Sequence, residues 1–133
     1  MSFRKERKIR LTKYELDLLK NSLLIRNMKP LYGKRIINSL YYDTQMYDMF
    51  NDSEEGLLPR KKVRIRWYND KTLANIEVKT SSMEGRYKTT AVDGLFSKSD
   101  LPQSIFDPSY GTLSPSLLVS YTREYFSLNS MRL

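Results

Sequence analysis

The stretch that decides the fold lies between residues 60 and 68 and reads Arg60-Lys61-Lys62-Val63-Arg64-Ile65-Arg66-Trp67-Tyr68. Successive side chains of a β-strand point to opposite faces. One face of this strand therefore carries Arg60, Lys62, Arg64 and Arg66, and the other carries Val63, Ile65 and Trp67. Because like charges in a row repel one another, the cationic face indicates a polyanionic partner lying along it.

The composition agrees with such a partner and excludes several kinds of chemistry. The chain has 133 residues, which predicts one domain over residues 1–133. Lys and Arg outnumber Asp and Glu by 23 to 15, giving a net charge of +8, so an anionic ligand is expected. There is no cysteine and no histidine, which excludes disulfides, thiolate metal sites, a Ser-His-Asp triad and His-ligated zinc. No apolar run approaches the roughly 20 residues of a membrane helix, so we expect a cytoplasmic protein with no membrane segment in this chain.

The N-terminal half predicts a strand, a helix and a second strand. Residues 3–10 read as a short charged strand with Arg4, Glu6 and Lys8 on one face. Thr12 and Glu15 form a capping-box pattern that opens an amphipathic helix over residues 13–26, whose leucines we expect to pack on the core. Residues 35–43 predict the next strand, followed by a short helical turn capped by Thr44 and by an acidic loop over residues 51–56. Asp43 is interpreted as a cap and not as a catalytic group.

Asn69-Asp70 predicts a two-residue hairpin turn after the cationic strand. That turn would place position 66 opposite 73, 64 opposite 75 and 62 opposite 77. Glu77 and Lys79 then share the cationic face, while Ala74, Ile76 and Val78 join the apolar one.

The C-terminal half predicts a further strand over residues 86–92, in which Arg86 and Lys88 share one face. Residues 93–115, with three prolines, are expected to form one or two short helices wrapped in loop. Residues 117–127 predict a long strand that places Tyr121 and Arg123 on one face. Met131-Arg132-Leu133 reads as the start of another strand.

Several strands thus contribute cations at every second position, with carboxylates between them. If such a sheet curls into a barrel, the cations converge on a basic lumen. Arg and Lys bind phosphate oxygens, and a Glu beside phosphate oxygens is a typical cage for Mg²⁺ or Mn²⁺. The predicted chemistry is metal-assisted phosphoryl transfer or hydrolysis at a triphosphate.

Motifs along nearly the whole chain resemble a known family, the VTC domain, which is the polyphosphate-polymerase domain of the CYTH-like triphosphate tunnel metalloenzymes. The resemblance rests on these segments: Glu6-Arg7-Lys8, Ser39-Leu40-Tyr41-Tyr42-Asp43-Thr44, Asp52-Ser53-Glu54-Glu55-Gly56, Lys62-Val63-Arg64-Ile65-Arg66-Trp67-Tyr68, Ile76-Glu77-Val78-Lys79 and Tyr121-Thr122-Arg123-Glu124-Tyr125. It implies an α+β fold, an antiparallel β-barrel or tunnel with peripheral helices. It also implies transfer of the ATP γ-phosphate to a polyphosphate chain with Mn²⁺ or Mg²⁺.

The resemblance implies roles for individual residues as well. Those that act on the transferred phosphate are expected to be Arg64, Arg66, Lys79 and Arg123. Further phosphate contacts are expected from Lys8, Lys62, Lys88, Tyr121 and Arg132. The metal ligands are expected to be Glu6 and Glu77.

A complete tunnel needs roughly two hundred residues, so we expect this chain to be the N-terminal portion of the domain, incomplete at its C-terminus and inactive by itself. Open strand edges then predict a possible homodimer. Two other functions stay open. One is a catalytically silent polyphosphate-binding accessory module. The other, disfavoured because Trp67 lies on the apolar face, is a nucleic-acid-binding β-protein.

Overall fold

The computed structural model describes residues 5–133 except positions 70 and 98, and describes the backbone but not the side chains of residues 87–96. The described elements are, in chain order, α1 (Lys13–Ile25), β1 (Lys29–Asp43), α2 (Asp48–Glu55), β2 (Arg60–Tyr68), β3 (Leu73–Ser82), β4 (Gly85–Ser97), β5 (Ile105–Asp107), β6 (Gly111–Leu128) and β7 (Met131–Arg132). The chain divides into two compact units. We call Met1–Lys34 with Glu124–Leu133 the terminal unit, and Arg35–Arg123 the central unit.

The strands form one antiparallel sheet in the order β4-β3-β2-β1-β6-β5, with β7 paired to β6. Together with the two helices, this confirms a fold in which antiparallel strands dominate. Closure of the sheet into a tunnel stays a prediction.

Helix α1 begins where the capping box predicts. The Thr12 hydroxyl accepts from the Glu15 backbone N–H at 3.2 Å, and the Glu15 carboxylate accepts from the Thr12 backbone N–H at 3.3 Å. The expectation that its leucines pack on a core is wrong for the described structure, because α1 has no buried residue and Leu16 and Leu19 are 50% and 42% exposed. The capping box forms locally, and Lys20 of α1 donates to Glu124 Oε2 at 2.7 Å within the terminal unit, so polar contacts hold this helix where a buried apolar face is lacking.

The predicted first strand is wrong over the residues that the structure describes. Residues 5–12 lie outside helix and strand, and residues 5–10 are exposed. A segment of mostly charged side chains has little apolar surface to bury against a neighbouring strand, so alternation alone does not form a strand there. Arg4 lies outside the described residues. The next strand, β1, begins at Lys29 rather than at residue 35.

Helix α2 replaces the predicted acidic loop. The Thr44 hydroxyl accepts from the Asp48 backbone N–H at 3.0 Å, and the buried Asp43 carboxylate accepts from the backbone N–H groups of Met49 and Phe50 at 3.0 and 3.1 Å. Asp43 is thus a helix cap, as predicted. The helix continues to Glu55 and ends at Gly56, whose φ of +69° suits the left-handed conformation that glycine adopts readily. Only Asp48 lies in the first turn, where the helix dipole favours a negative charge, so the helix extends over the later acidic residues because of its cap contacts and not because of their charge.

The β2–β3 hairpin confirms the two predicted faces and corrects the register. Val63, Ile65 and Ala74 are buried in the main hydrophobic core of the central unit. The pairing places Arg64 opposite Glu77, which is two residues away from the predicted partner. The connection is longer than predicted, because β2 ends at Tyr68 and β3 begins at Leu73. A shift of two residues keeps every side chain on its predicted face.

The segment after β3 contains strands where helices were expected. Strand β4 continues to Ser97, β5 covers Ile105–Asp107, and β6 already begins at Gly111. The described part of residues 93–115 contains no helix. The prolines break helices locally, but long-range pairing decides which neighbouring residues become strands. The predicted final strand is confirmed within β6, and Met131–Arg132 pairs with it as β7.

A second buried carboxylate, Asp107, lies at the β5–β6 turn. It accepts from the backbone N–H groups of Ser109 and Tyr110 at 2.9 and 3.1 Å and from Lys61 Nζ at 3.3 Å. The Tyr110 hydroxyl donates to Asp52 Oδ2 at 2.7 Å. Burial, and then this hydrogen bond, raise the pKa of Tyr110 to about 12. We call Asp107, Lys61, Tyr110 and Asp52 the Asp107 cluster.

Candidate phosphate-binding site

The polar face of the β2–β3 hairpin carries a nearly buried carboxylate between two guanidinium groups. Glu77 Oε2 lies 2.9 Å from Arg64 Nε and 3.8 Å from Arg66 Nε. The side chains of Glu77 and Arg66 are only 8% and 9% exposed. The observed register explains the arrangement, because it sets Glu77 directly across from Arg64. The carboxylate therefore fixes two predicted phosphate-binding arginines in place.

Strand β1 supplies two further partners that the sequence reasoning did not assign to the site. The Tyr41 hydroxyl accepts from Arg64 Nη1 at 3.1 Å, and the Ser39 hydroxyl accepts from Arg66 Nε at 3.1 Å. The pairing places Ser39 opposite Arg66 and Tyr41 opposite Arg64. Ser39 and Tyr41 are two positions apart, which indicates that they share one face of the strand. Their partners on β2 could not be predicted, because a long connection that contains helix α2 joins β1 to β2.

A tyrosine of strand β6 joins two of the predicted cations. The Tyr121 hydroxyl accepts from Arg66 Nη2 at 3.4 Å and from Arg123 Nη2 at 3.1 Å. The Arg123 guanidinium also lies over the Tyr121 ring, 5.3 Å from its centroid. We call the whole group the arginine cluster; it comprises Ser39, Tyr41, Arg64, Arg66, Glu77, Tyr121 and Arg123.

The arginine cluster keeps hydrogen-bond donors for a ligand. A guanidinium has five N–H donors, whereas Arg64 donates from Nε and Nη1 and Arg66 from Nε and Nη2. In the described part of the chain, no buried side-chain nitrogen or oxygen lacks a partner. The side chain of Arg64 is 18% exposed, so part of this guanidinium group reaches solvent, where an anion can accept from it.

Arg64 stays charged at this depth. Burial disfavours the charged form of Arg64, but the hydrogen bonds to Tyr41 and Glu77 and the attraction of the Glu77 carboxylate outweigh it. The pKa of Arg64 is therefore raised above its ordinary value. A permanently charged, pre-oriented guanidinium is well suited to bidentate contact with phosphate oxygens.

A row of lysines crosses the sheet beside the arginine cluster. Lys62 pairs with Lys79, and Lys79 pairs with Lys88 of β4. Lys62 and Lys79 are exposed, while the side chain of Lys88 lies outside the described residues. Like charges on directly opposite residues destabilise a sheet, and a bound anion would relieve this repulsion.

Three predicted site residues belong to the terminal unit. Glu6 and Lys8 are exposed and form a loose ion pair of 4.0 Å, and Arg132 is exposed on β7. Their predicted contacts with phosphate and metal stay predictions.

The described residues do not form a protein cage for a divalent cation. Among them, no group of three His, Cys, Asp or Glu residues is placed to hold a metal ion. The carboxylate of Glu77 already faces two guanidinium groups, which is an environment that repels a cation.

Trp67 is not placed to stack on nucleic-acid bases, because it is 9% exposed and packs in the core with Val63 and Ile65. Neither described helix combines the length and the apolar character that crossing a membrane requires.

Fold and site together define an antiparallel-sheet protein with a cationic face. A family model of the VTC domain matches residues 3–95, and the chain belongs to the VTC domain family, which the sequence motifs indicated. No curated protein and no solved structure matches the chain. Family membership indicates a polyphosphate-related function.

Proposed function

We propose that the arginine cluster binds the phosphate chain of inorganic polyphosphate or of a nucleoside triphosphate. The observation that carries the proposal is the pair of guanidinium groups, Arg64 and Arg66, held by Glu77 on the cationic face. A carboxylate that neutralises one charge leaves the cluster positive. Phosphate oxygens then gain charge-assisted hydrogen bonds to arginines whose conformation is already ordered, so little entropy is lost on binding.

The lysines extend the same surface. Strand residues two apart are separated by roughly 6.6 Å, so Lys62, Arg64 and Arg66 present cations at regular steps along β2. A linear polyanion can follow such a row, whereas a single small anion uses only one step. This repeating arrangement favours a chain of phosphates as the ligand, and we propose that in the folded domain it lines a tunnel.

The finer proposal is polyphosphate polymerase chemistry. A terminal oxygen of the polyphosphate chain forms a bond to the γ-phosphorus of ATP, and the bond from that phosphorus to the β–γ bridging oxygen breaks. ADP leaves with that oxygen, and the polyphosphate is one phosphate longer. The nucleophile is already an anion, so no general base is needed. Arg64, Arg66, Lys79 and Arg123 would align the two chains and neutralise the charge on the transferred group.

The divalent cation, Mn²⁺ or Mg²⁺, remains part of the proposal. When bound, such a cation supplies charge neutralisation at phosphate oxygens. We propose that it arrives with those oxygens, because Glu77 is engaged by guanidinium groups.

A binding-only accessory module is the second candidate. Such a module needs only the cationic face, whose arginines and lysines can hold phosphate oxygens without transferring a phosphate. A homodimer through the strands at the ends of the sheet order, β4 and β5, is a further proposal that light scattering tests.

The test is a titration of the 133-residue chain with tripolyphosphate, with and without Mn²⁺, read by calorimetry and thermal melting. We expect saturable binding that raises the melting temperature and weakens about 100-fold in the double variant Arg64→Ala with Arg66→Ala. The matched control is Lys13→Ala with Lys71→Ala, which removes the same net charge from two exposed lysines and should bind like the wild type.

If tripolyphosphate binding weakens equally in both double variants, the ligand is held only by the net positive charge of the protein, and the proposal is contradicted. Incubation with ATP and a polyphosphate primer then separates the two candidates. Growth of the primer with release of ADP identifies a polymerase, whereas saturable binding without growth shows that the 133-residue chain binds phosphate without transferring it.

A further inference from the structure

The polar face of the sheet ends in a row of three residues with a hydroxyl at its centre. Ser81 of β3 pairs with Arg60 of β2 on one side and with Arg86 of β4 on the other. Directly paired residues of an antiparallel sheet share a face, and their Cβ atoms lie about 5 Å apart. The Ser81 hydroxyl therefore stands between two arginine side chains. We call Arg60, Ser81 and Arg86 the Ser81 row.

The same strand shows what an anion does at such a position. Glu77 lies four residues before Ser81, on the same face of β3, and pairs with Arg64 as Ser81 pairs with Arg60. The Glu77 carboxylate contacts Arg64 Nε at 2.9 Å. Counted in bonds from Cα, the terminal oxygens of a phosphorylated serine lie as far out as those of a glutamate. A phosphate on Ser81 would therefore reach the guanidinium group of its paired arginine.

The Ser81 row has room for such an anion and charges to hold it. In the described part of the chain, the Ser81 hydroxyl has no hydrogen-bond partner, and neither Arg60 nor Arg86 forms an ion pair. Arg60 donates once, from Nη1 to the Leu57 carbonyl, over a long 3.4 Å. Ser81 is half-buried and Arg86 is exposed. Two arginines without a counter-charge favour an anion between them.

The neighbouring hydroxyls of β3 do not share this environment. Adjacent strand residues point to opposite faces, so Thr80 and Ser82 face away from the two arginines. Thr80 is buried, and the Ser82 hydroxyl already donates to the Gly85 carbonyl at 3.1 Å. Ser81 also lies close to the β3–β4 turn, where Met83 is 90% exposed. Only the end of the hairpin must open to present Ser81 to an enzyme.

We propose that Ser81 is a phosphorylation site, that Arg60 and Arg86 hold its phosphate, and that the modification weakens polyanion binding to the cationic face. A serine protein kinase supplies the reaction. Ser81 Oγ forms a bond to the γ-phosphorus of ATP, the bond from that phosphorus to the β–γ bridging oxygen breaks, ADP leaves, and the hydroxyl proton passes to the kinase.

The effect on binding follows from the position of the new charge. A phosphoserine carries a charge of about −1.5 to −2 at neutral pH. It would lie on the same face as Lys62 and Lys79, two residues further along each strand. This regulatory part rests on the proposed function, because it assumes that the cationic face binds phosphate chains. The contact between the phosphate and the two arginines does not depend on that assumption.

The first experiment inserts phosphoserine at position 81 during translation and, as the matched control, at position 82. Phosphorus NMR measures the second pKa of each phosphate, which is ordinarily about 6. Two guanidinium groups stabilise the dianion, so we expect this pKa to lie about 1 lower at position 81 than at position 82. Adding Arg60→Gln and Arg86→Gln should abolish the difference. Equal values at the two positions overturn the proposal, whether or not polyphosphate binds.

A pair of ordinary variants measures the same contact if the phosphorylated chain does not melt cooperatively. Ser81→Glu should melt at a higher temperature than Ser81→Gln, because only the carboxylate gains charge-assisted hydrogen bonds from the arginines. An equal or lower melting temperature for Ser81→Glu contradicts the proposal.

The second experiment measures the regulatory effect by titration with tripolyphosphate. We expect binding to weaken about tenfold with phosphoserine at position 81 and less than about twofold with phosphoserine at position 82. Equal losses at both positions overturn the regulatory part. If tripolyphosphate does not bind the unmodified chain, the proposed function fails, and the pKa comparison still decides the phosphate contact.

The third experiment locates the modification by mass spectrometry of the chain recovered from the cells that produce it. We expect phosphate on Ser81. Phosphate on Ser82 alone, or no phosphate on this hairpin, contradicts the proposal.

Discussion

Among the buried carboxylates of the central unit, Glu77 and Asp107 each lie beside a cation from strand β2, but they have different roles. Asp107 is held by two backbone N–H groups and by Lys61, so its partners are mostly parts of a turn. Glu77 is held by two arginine side chains that keep further donors. A carboxylate paired with backbone amides stabilises a loop, whereas one between guanidinium groups orders a site that still attracts anions.

The two roles can be tested by replacing each carboxylate with the amide of the same shape. Glu77→Gln should lower the free energy of unfolding by about 3 kcal/mol, because two nearly buried guanidinium groups lose their counter-charge. Asp107→Asn should cost about 1 kcal/mol, because an amide oxygen still accepts from the turn. Denaturant unfolding, with and without tripolyphosphate, measures the free energy of unfolding of both variants. The ligand should recover most of the loss in Glu77→Gln only, and equal recovery in the two variants would contradict the assignment.

A second change exchanges the geometry of a cation but keeps its charge. Arg66→Lys should weaken tripolyphosphate about tenfold, because an ammonium group cannot reproduce the fork that reaches Ser39, Tyr121 and the ligand together. Lys61→Arg, on the opposite face in the Asp107 cluster, is the control and should leave the affinity unchanged. Calorimetric titration measures both variants, and equal affinities for Arg66→Lys and the wild type would show that charge alone decides binding.

The Asp107 cluster can be tested by pH. The pKa of Tyr110 is raised to about 12 in the folded protein, above the ordinary value of about 10, so the folded state holds a proton that the unfolded chain has released. This contribution to stability is complete below about pH 10 and is lost as the pH rises toward 12. Tyr110→Phe should cost about 1 kcal/mol at neutral pH.

In alkaline unfolding experiments, Tyr110→Phe should also show a shallower fall in stability between pH 10 and 12 than the wild type. The affinity for tripolyphosphate at neutral pH is the control and should not change. If the stability of the wild type and of Tyr110→Phe falls equally over this pH range, Tyr110 does not cause the loss of stability.

The smallest expected effect concerns the bridge between Arg66 and Arg123. Tyr121→Phe removes the hydroxyl that accepts from both guanidinium groups, so their relative orientation loosens while their charges stay. Tripolyphosphate should bind about threefold more weakly, and the free energy of unfolding should change by about 0.5 kcal/mol or less. A double-mutant cycle with Arg123→Ala measures the coupling; additive effects would show that the bridge does not matter for binding.

Much of the candidate site was predictable because the side-chain period of a strand is two. The faces of β2 and β3 survived a register error of two residues, since an even shift leaves Arg64, Arg66, Glu77 and Lys79 on the same side. The pairing of Glu77 with Arg64 was not predicted, because the predicted turn placed Glu77 opposite Lys62. Tyr41 and Ser39 were missed for a related reason: their register depends on a long connection.

The local sequence was also a poor guide wherever pairing partners are distant. The prolines between residues 93 and 115 suggested helices in loop, but the described part of this segment contains strands that pair with β3 and β6. The charged run at residues 5–10 alternates like a strand and forms none. In both places the outcome depends on which backbone groups lie nearby to accept hydrogen bonds, and no local pattern contains that information.

The sequence by itself determined the two faces of the cationic hairpin, the start of α1 at its capping box and the membership of the VTC domain family. These features depend on residue spacing, on capping bonds over three residues and on motif order. Only the tertiary structure decided that Glu77 lies between two arginines, that Tyr121 joins Arg66 to Arg123 and that Ser81 pairs with both Arg60 and Arg86. Those features bring together residues from different strands, and their distances follow from strand register and packing rather than from any local preference.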